Sequence, residues 1–185
     1  MYNFPKSFRP IVLLNTLDKL IEKVIGKRLQ FLTSANNFIH SSQLEGLKFK
    51  SITDAGVVLT HIICSGWVKN LLTSTLAFDI AQFFLSLNYH LLTLILKKVE
   101  FNNYVISFYA NYLMDRKTNY FWNNLTSPML NVNVGVGQES VFSPILLALY
   151  FSPFFYILEK CLKNLNIPMS IISFVDDGLF ISQSK

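Results

Sequence analysis

Apolar and polar positions recur along this chain with two different periods. Between Asn15 and Leu32 the apolar residues are three or four positions apart, which predicts an amphipathic helix. The apolar face of this helix would consist of Leu17, Leu20, Ile21, Val24, Ile25 and Leu29, and the opposite face of Asp18, Lys19, Glu22, Lys23, Lys27 and Arg28. We expect most of the lysines to lie on a solvated helix face.

The rest of the chain predicts helices and strands in mixed order. Helices are expected from a cap at Thr53–Asp54 to about Lys69, from Asn88 through Lys98, from Asn102 or Asn103 to about Leu113, and from Ser143 to about Lys163. Strands are expected at Ser74–Asp79 (short, apolar and buried), at Lys117–Asn123 and Met129–Val136 around a turn at Asn124–Pro128, and at Met169–Val175 and Leu179–Ser182. Because no regular βαβ repeat appears, the predicted fold class is α+β.

Composition narrows the choice of protein class. Of the 185 residues, 51% are hydrophobic and only 15% are charged, which excludes intrinsic disorder. Seven Gly, six Pro and two Cys exclude collagen-like and disulfide-scaffold proteins, and Cys64 and Cys161 are too far apart to suggest a zinc site. Residues 1–50 hold eight basic and three acidic side chains, so they account for the whole net charge of +5. A basic first quarter favours a phosphate-bearing partner.

One segment is compatible with a membrane. The run from Ser140 to Leu158 carries no charged residue. A helix that spans a bilayer needs about 20 such residues, so the length is marginal. Pro144 and Pro153 lie inside the run, and a buried helix with proline near its start explains the segment as well.

Three carboxylates are candidates for chemistry. Asp79 ends a predicted strand, and Asp176 and Asp177 lie at the bend of a predicted hairpin. If these strands are neighbours in one sheet, the carboxylates converge, and such a group suits two Mg²⁺ ions about 4 Å apart that also bind substrate phosphates. Taken singly, Asp177-Gly178 is also a common hairpin turn, and Asp79 could be an ordinary residue at a strand end.

The surrounding sequence resembles the reverse transcriptase domain of LINE-like (non-LTR) retrotransposons. Five motifs of that family occur in order: Arg9-Pro-Ile-Val-Leu-Leu-Asn-Thr-Leu with Lys19-Leu-Ile-Glu-Lys, the stretch from Gln43 to Ala55, Phe78-Asp79-Ile-Ala-Gln-Phe-Phe84, Gly135-Val-Gly-Gln138-Glu-Ser140 with Ser143-Pro144, and Phe174-Val-Asp176-Asp177. They extend from about Arg9 to the C-terminus. The resemblance implies an RNA-directed DNA polymerase with a palm (about 71–185) and part of the fingers (about 1–70), without a thumb.

The resemblance also implies roles for individual residues. Asp79 and Asp176 would be ligands of two Mg²⁺ (or Mn²⁺) ions, with Asp177 as a catalytic but less direct neighbour. Phe84 would be the steric gate under the sugar. Arg9 would contact the triphosphate, and Gln138 would line the nucleotide pocket. The partners would be an RNA template, a DNA primer and dNTPs, with no membrane, and the location intracellular and nuclear. The oligomeric state is left open. For Phe84, plain core packing is an equal alternative.

The chain departs from the family pattern in three places. Glu139 replaces the central glycine of the GQGS motif and adds bulk and negative charge where phosphates bind. Leu44-Glu45 interrupts a glycine-rich stretch, and Lys185 follows Asp177 by only eight residues. We therefore expect weak or no polymerase activity. Two alternatives are a non-catalytic nucleic-acid-binding remnant that uses the basic helix at 15–32, and a small membrane protein.

Overall fold

The structure is a computed structural model that describes residues 11–45, 50–137, 140 and 142–185. The helices in these ranges are α1 (Thr16–Ala35), α2 (Ile52–Val68), α3 (Phe83–Ser86), α4 (Tyr89–Lys98), α5 (Asn103–Leu113) and α6 (Ser143–Asn164). The strands are β1 (Leu72–Asp79), β2 (Arg116–Thr118), β3 (Phe121–Trp122), β4 (Leu125–Thr126), β5 (Leu130–Val132), β6 (Met169–Phe174) and β7 (Asp177–Ser184). This mixed order confirms the α+β class.

Helix α6 lies at the centre of the larger hydrophobic cluster. Helices α1, α3 and α4 pack against it, and α5 packs against α4. The buried side chains of the cluster include Leu92, Leu96, Tyr109, Leu113, Phe142, Leu146, Leu147 and Leu149. Burying one such leucine contributes about 1.5–3 kcal/mol relative to leaving it in water. The uncharged run that begins at Ser140 thus supplies much of the core.

Among the described helices, α6 is the one whose 22 residues are long and apolar enough to cross a membrane, a test that core helices of soluble proteins also pass. The buried residues of α6 lie mainly in its first half, from Ser143 to Leu149. Phe154, Tyr156 and Ile157 in the second half are exposed. Packing against α1, α3 and α4 explains the apolar first half of α6.

The three longest strands form one antiparallel sheet in the order β1–β7–β6. Helix α2 packs against β6 and β1, and a smaller cluster of Leu44, Ile172 and Ile181 is completed by side chains of α2. The side-chain amide of Gln183 in β7 donates to the carbonyl of Ile62 in α2 at 2.7 Å. This contact ties the helix to the central strand.

The prediction that β1 is a buried strand is wrong. Leu72 and Leu76 are 73% and 65% exposed. Strand β1 pairs with β7 on one side only, so it is an edge strand of the sheet. The β-branched and aromatic residues of β1 favour a strand, and such residues suit a half-buried sheet surface as well as a fully buried one.

Helix α1 has the predicted position, but it is rotated about its axis, so only Ile25 and Leu29 of the predicted apolar face meet the core. Leu17 and Leu20 of its apolar face are exposed. The side of α1 that meets the core carries Glu22, Gly26, Leu29 and Thr33, which are the buried residues of the helix. These positions are three or four residues apart and form one face. The apolar period therefore locates the helix, but Glu22 is buried instead of lying on a solvated face.

Side-chain caps set the helix starts. Asn15, Asn88 and Asn102 cap α1, α4 and α5 through their side chains, so the predicted Asn88 cap is confirmed and the choice between Asn102 and Asn103 is resolved. The prediction of a Thr53–Asp54 cap is wrong, because Ser51 caps α2. The Ser51 amide donates to Asp54 Oδ2 at 2.7 Å and the Asp54 amide donates to Ser51 Oγ at 3.3 Å, which is a capping box.

Between α5 and α6 the structure differs from the predicted pair of long strands. Strand β2 pairs with β5, and β3 pairs with β4 further out. The turn falls at Asn123 and Asn124, with φ of 45° and 65°, instead of at Asn124–Pro128. Asparagine tolerates this left-handed backbone better than most residues, which explains the earlier turn.

Candidate active site

The three candidate aspartates lie at one end of the sheet, because β1 and β7 are neighbours, which is the condition that the prediction set. Asp79, the last residue of β1, is the register partner of Asp177, the first residue of β7. The backbone extends this pairing by one step, because the amide of Ile80 donates to the carbonyl of Asp176 at 3.0 Å. Asp79 and Asp177, which are 98 positions apart in the chain, thus become neighbours.

The hairpin between β6 and β7 turns at Val175 and Asp176. Phe174 pairs with Asp177, so these two residues form the whole connection. The predicted turn at Asp176–Gly178 is wrong, since Asp177 and Gly178 already belong to β7. Val175 has a φ of 56°, which is unfavourable for a β-branched residue. Such strain is typical of functional sites that the surrounding structure holds in place.

The carboxylates of this edge fit a metal ion that is shared with a substrate. Asp79 and Asp177 are exposed and Asp176 is half-buried. In the described ranges none of the three makes an ion pair or a side-chain hydrogen bond, and no three His, Cys, Asp or Glu side chains surround a common point. Mg²⁺ prefers oxygen ligands and commonly takes one or two carboxylates, with waters and phosphates completing its shell. Asp79 and Asp176 could serve as those carboxylates.

A fourth carboxylate, Glu45, lies beside the hairpin. The segment before it runs along β6: the Ser173 amide donates to the Ser42 carbonyl at 2.8 Å, and the Leu44 amide donates to the Ser173 carbonyl at 3.0 Å. Glu45 Oε2 is buried and has no hydrogen-bond partner among the described residues. Burial and, second, the negative charge of Asp176 raise the pKa of Glu45 above its usual value. Sequence reasoning noted Glu45 only as an irregularity of its motif.

Phe84 lies in α3 and is half-buried against the larger hydrophobic cluster. Its ring meets that of Phe83 edge to face, with 6.2 Å between centroids, and Phe83 is buried. The carbonyl of Phe84 accepts a hydrogen bond from the Val136 amide at 2.7 Å. Phe84 is thus in contact with the core and with the segment that resembles the GQGS motif, so both interpretations of this residue remain compatible with its position.

The segment that begins at Gly135 is anchored closely to α3 and α4. The Gly135 amide donates to the Leu87 carbonyl at 2.8 Å, and the Tyr89 hydroxyl donates to the Gly135 carbonyl at 2.7 Å. Gly135 has a φ of 81°, and a Cβ atom there would lie 2.8 Å from the Leu85 Cα, so only glycine fits. Gln138 and Glu139, which follow in this segment, and Arg9 are outside the described residues.

Comparison with known sequences gives one family. Residues 3–185 match the sequence profile of the family described as reverse transcriptase (RNA-dependent DNA polymerase). No protein with a curated description is similar enough in sequence to count as a relative.

Solved structures share the fold. The apo telomerase of Candida tropicalis, truncated from its C-terminal domain, superposes with a TM-score of 0.61 at 18% identity over 89% of this chain and 34% of that one. The telomerase of Candida tropicalis in complex with the TWJ fragment of telomeric RNA superposes with a TM-score of 0.66 at 16% identity. The match covers 91% of this chain and 29% of that one. The corresponding Candida albicans complex superposes with a TM-score of 0.55 at 13% identity. The match covers 89% of this chain and 30% of that one. The chain therefore spans about a third of the length of these telomerases.

Proposed function

The chain belongs to the reverse transcriptase family, and from that premise we propose that its carboxylate edge adds deoxynucleotides to a primer 3′ end on an RNA template. The family membership makes it an RNA-directed DNA polymerase by class. The observation that carries the proposal is the pairing of Asp79 with Asp177, next to Asp176. It joins two sequence motifs of the family at one point of the sheet.

In this proposal Asp79 and Asp176 hold the metal ions, and Asp177 adds negative charge beside them. When bound, two metal ions supply activation of the 3′ hydroxyl and stabilisation of the leaving pyrophosphate. Phe84 would lie under the sugar, Arg9 would contact the triphosphate, and Gln138 would line the nucleotide pocket. We assign about 1–70 to the fingers and about 71–185 to the palm.

Sequence motifs support a finer assignment. The five motifs quoted above favour a LINE-like retroelement, with RNA template, DNA primer and dNTPs as partners. One similar telomerase structure contains an RNA fragment, which is compatible with an RNA template for this fold. Glu139 places a negative charge in the motif that should approach phosphates, so we propose that activity is low. Nuclear location stays a prediction.

Primer extension on an RNA template with Mg²⁺ tests the proposal. We expect slow incorporation that is lost in Asp79→Asn and Asp176→Asn and increased in Glu139→Gly. The matched control is Asp115→Asn, because Asp115 is an exposed carboxylate at a φ of 52°, where asparagine fits equally well. Incorporation that survives Asp79→Asn would contradict the assignment of the metal ligands. Salt-dependent RNA binding without any incorporation would instead indicate a non-catalytic nucleic-acid-binding protein.

A further inference from the structure

A small cavity lies between α6 and the hairpin that joins β6 to β7. Gln43 and Glu45 line it. The rest of the wall consists of Phe83, Pro144, Ala148, Ser173 and Val175. The cavity has a volume of about 10 Å³, which is close to that of a single water-sized sphere. It can therefore hold one water molecule or one small ion.

Gln43 contributes an unpaired oxygen to this site. The residue is only 6% exposed, and its Nε2 atom donates to the Ala148 carbonyl of α6 at 3.0 Å. Because a carbonyl oxygen can only accept, this contact fixes which end of the side-chain amide is the nitrogen. The other end, Oε1, is buried and has no hydrogen-bond partner among the described residues. A buried acceptor without a partner destabilises the fold, so a donor or a cation is expected beside Oε1.

Glu45 contributes a second unpaired oxygen. Its Oε2 atom is buried and lacks a hydrogen-bond partner, and the carboxylate makes no ion pair within the described ranges. The ammonium group of Lys50 donates to the Gln43 carbonyl at 3.4 Å instead. Burial and, second, the charge of Asp176 raise the pKa of Glu45, so the ionised carboxylate lacks compensation. Two residues with unpaired oxygens thus line one small cavity, and one of these oxygens belongs to a carboxylate.

We propose that this cavity binds one monovalent cation, Na⁺ or K⁺, between Gln43 Oε1 and Glu45 Oε2. The cation would satisfy both oxygens and compensate the buried negative charge. A water molecule would satisfy the oxygens but leave that charge in place. Mg²⁺ suits the cavity less, because it keeps several of its own waters, for which there is no room. This inference does not rest on the proposed function, since it requires neither a nucleotide nor polymerase activity.

The position of the cavity gives the cation a structural role. Gln43 and Glu45 flank Leu44, whose amide donates to the Ser173 carbonyl of β6 at 3.0 Å. A cation held by both side chains would stabilise this contact. Ser173 precedes Asp176 by three residues, so the bound cation would also support the hairpin that presents Asp176. We therefore expect the free energy of unfolding to depend on which small cation is present.

Thermal unfolding in different salts tests the proposal. The Tm of the full chain is measured at pH 8 with EDTA and with NaCl, KCl or choline chloride at equal ionic strength. Choline is a quaternary ammonium ion that is too large for the cavity. At ten times its dissociation constant, Na⁺ or K⁺ should raise the Tm by about 3–6 °C above the value in choline chloride. The same Tm in all three salts would mean that the cavity holds only water, and it would overturn the proposal.

Two variants remove one proposed ligand each. Glu45→Gln should lose the salt-specific increase. In choline chloride this variant should be more stable than the parent, because the uncompensated charge is gone, and NaCl or KCl should narrow that difference. Gln43→Met lacks Oε1 and should lose the increase as well. It also loses the donor to Ala148, which lowers its Tm in every salt, so each variant is compared with itself across the salts.

Two controls locate the effect. Glu159→Gln makes the same substitution at a carboxylate that is paired with Lys163 and His40, and it should keep the increase. Asp79→Asn should keep it too, since Asp79 is not part of the cavity wall. If Asp79→Asn lost the increase while Glu45→Gln kept it, Na⁺ or K⁺ would be bound at the carboxylate edge and the proposal would be wrong.

Discussion

Gly178 lies directly opposite Phe78 across β7 and β1, and the Phe78 ring fills the space that a Cβ atom on Gly178 would need. Such an atom would lie 2.1 Å from the ζ carbon of that ring. The ring also stacks on Phe180, with 4.8 Å between centroids. This pair adjoins the pair of Asp79 and Asp177, so side-chain packing one step away holds the register that brings the two carboxylates together.

The close approach predicts the effect of a single methyl group. Gly178→Ala should lower the free energy of unfolding by about 1–3 kcal/mol, because the Phe78 ring must leave its stacked position. Chemical denaturation measures the change. Gly56→Ala is the matched control: nothing lies within 4 Å of its Cβ position in α2, and alanine there should stabilise by about 0.5–1 kcal/mol. Equal stability of Gly178→Ala and the parent would show that Phe78 has room to move.

The carboxylate edge predicts a response to Mg²⁺ that does not need activity. Mg²⁺ at ten times its dissociation constant should stabilise the parent chain by about 1.4 kcal/mol, seen as a higher Tm. Asp79→Asn and Asp176→Asn should lose this increase. The increase should persist in Asp115→Asn, which leaves the edge intact. A Tm that rises equally in all variants would mean that Mg²⁺ binds elsewhere.

Neutralising Asp177 should have a different effect in the absence of metal. Asp177 and Asp79 face each other without a described cation partner, so their charges repel. Asp177→Asn should therefore raise the Tm slightly in EDTA at low salt. The gain should shrink as salt screens the repulsion. A lower Tm in EDTA would indicate that Asp177 makes a stabilising contact in the folded chain.

Glu45 predicts a pH dependence of stability. Its pKa is raised in the folded chain from an ordinary value of 4.5, so the folded state binds the proton more tightly than the unfolded state does. Stability from this group is complete below pH 4.5 and falls as the pH rises through the folded pKa. Glu45→Gln should therefore have a higher Tm than the parent at pH 8, and the difference should vanish at pH 4.

Glu159 provides a control of opposite sign. Hydrogen bonds from Lys163 and His40 lower its pKa, so its charged form favours the folded state. Glu159→Gln should lower the Tm slightly at neutral pH and have no effect in acid. If Glu45→Gln followed the same trend as Glu159→Gln, the carboxylate beside Asp176 would have to be paired with a donor.

The start of α2 predicts a difference between two neighbouring residues. Ser51→Ala should cost about 1 kcal/mol of stability, because the capping box is lost. Thr53→Ala should have little effect, since Thr53 lies exposed inside the first turn. Chemical denaturation distinguishes the two, and a larger cost for Thr53→Ala would favour the start expected from sequence.

Sequence placed Asp79 at the end of a strand and Asp176 and Asp177 at a hairpin, because the apolar residues of these strands are easily recognised. The pairing of β1 with β7 was only a condition of that prediction, since a local pattern does not specify strand partners. The turn was misplaced because Val175 takes a left-handed backbone that valine rarely adopts, while Asp-Gly is the pair that such turns prefer. The burial of Glu22 depends on Tyr112 and Ser140, whose hydroxyls donate to its carboxylate, and that of Glu45 on its position beside β6. Local periodicity contains no information about donors or strands this distant in the chain.

The exposed edge strand has a consequence for work with the purified protein. The outer side of β1 presents unpaired backbone groups in the described structure, with Leu72 and Leu76 exposed along it. Such an edge is a template for strand addition from a second chain. Self-association should therefore increase with protein concentration and begin at β1. A lysine at Leu76 would oppose it without touching the carboxylates.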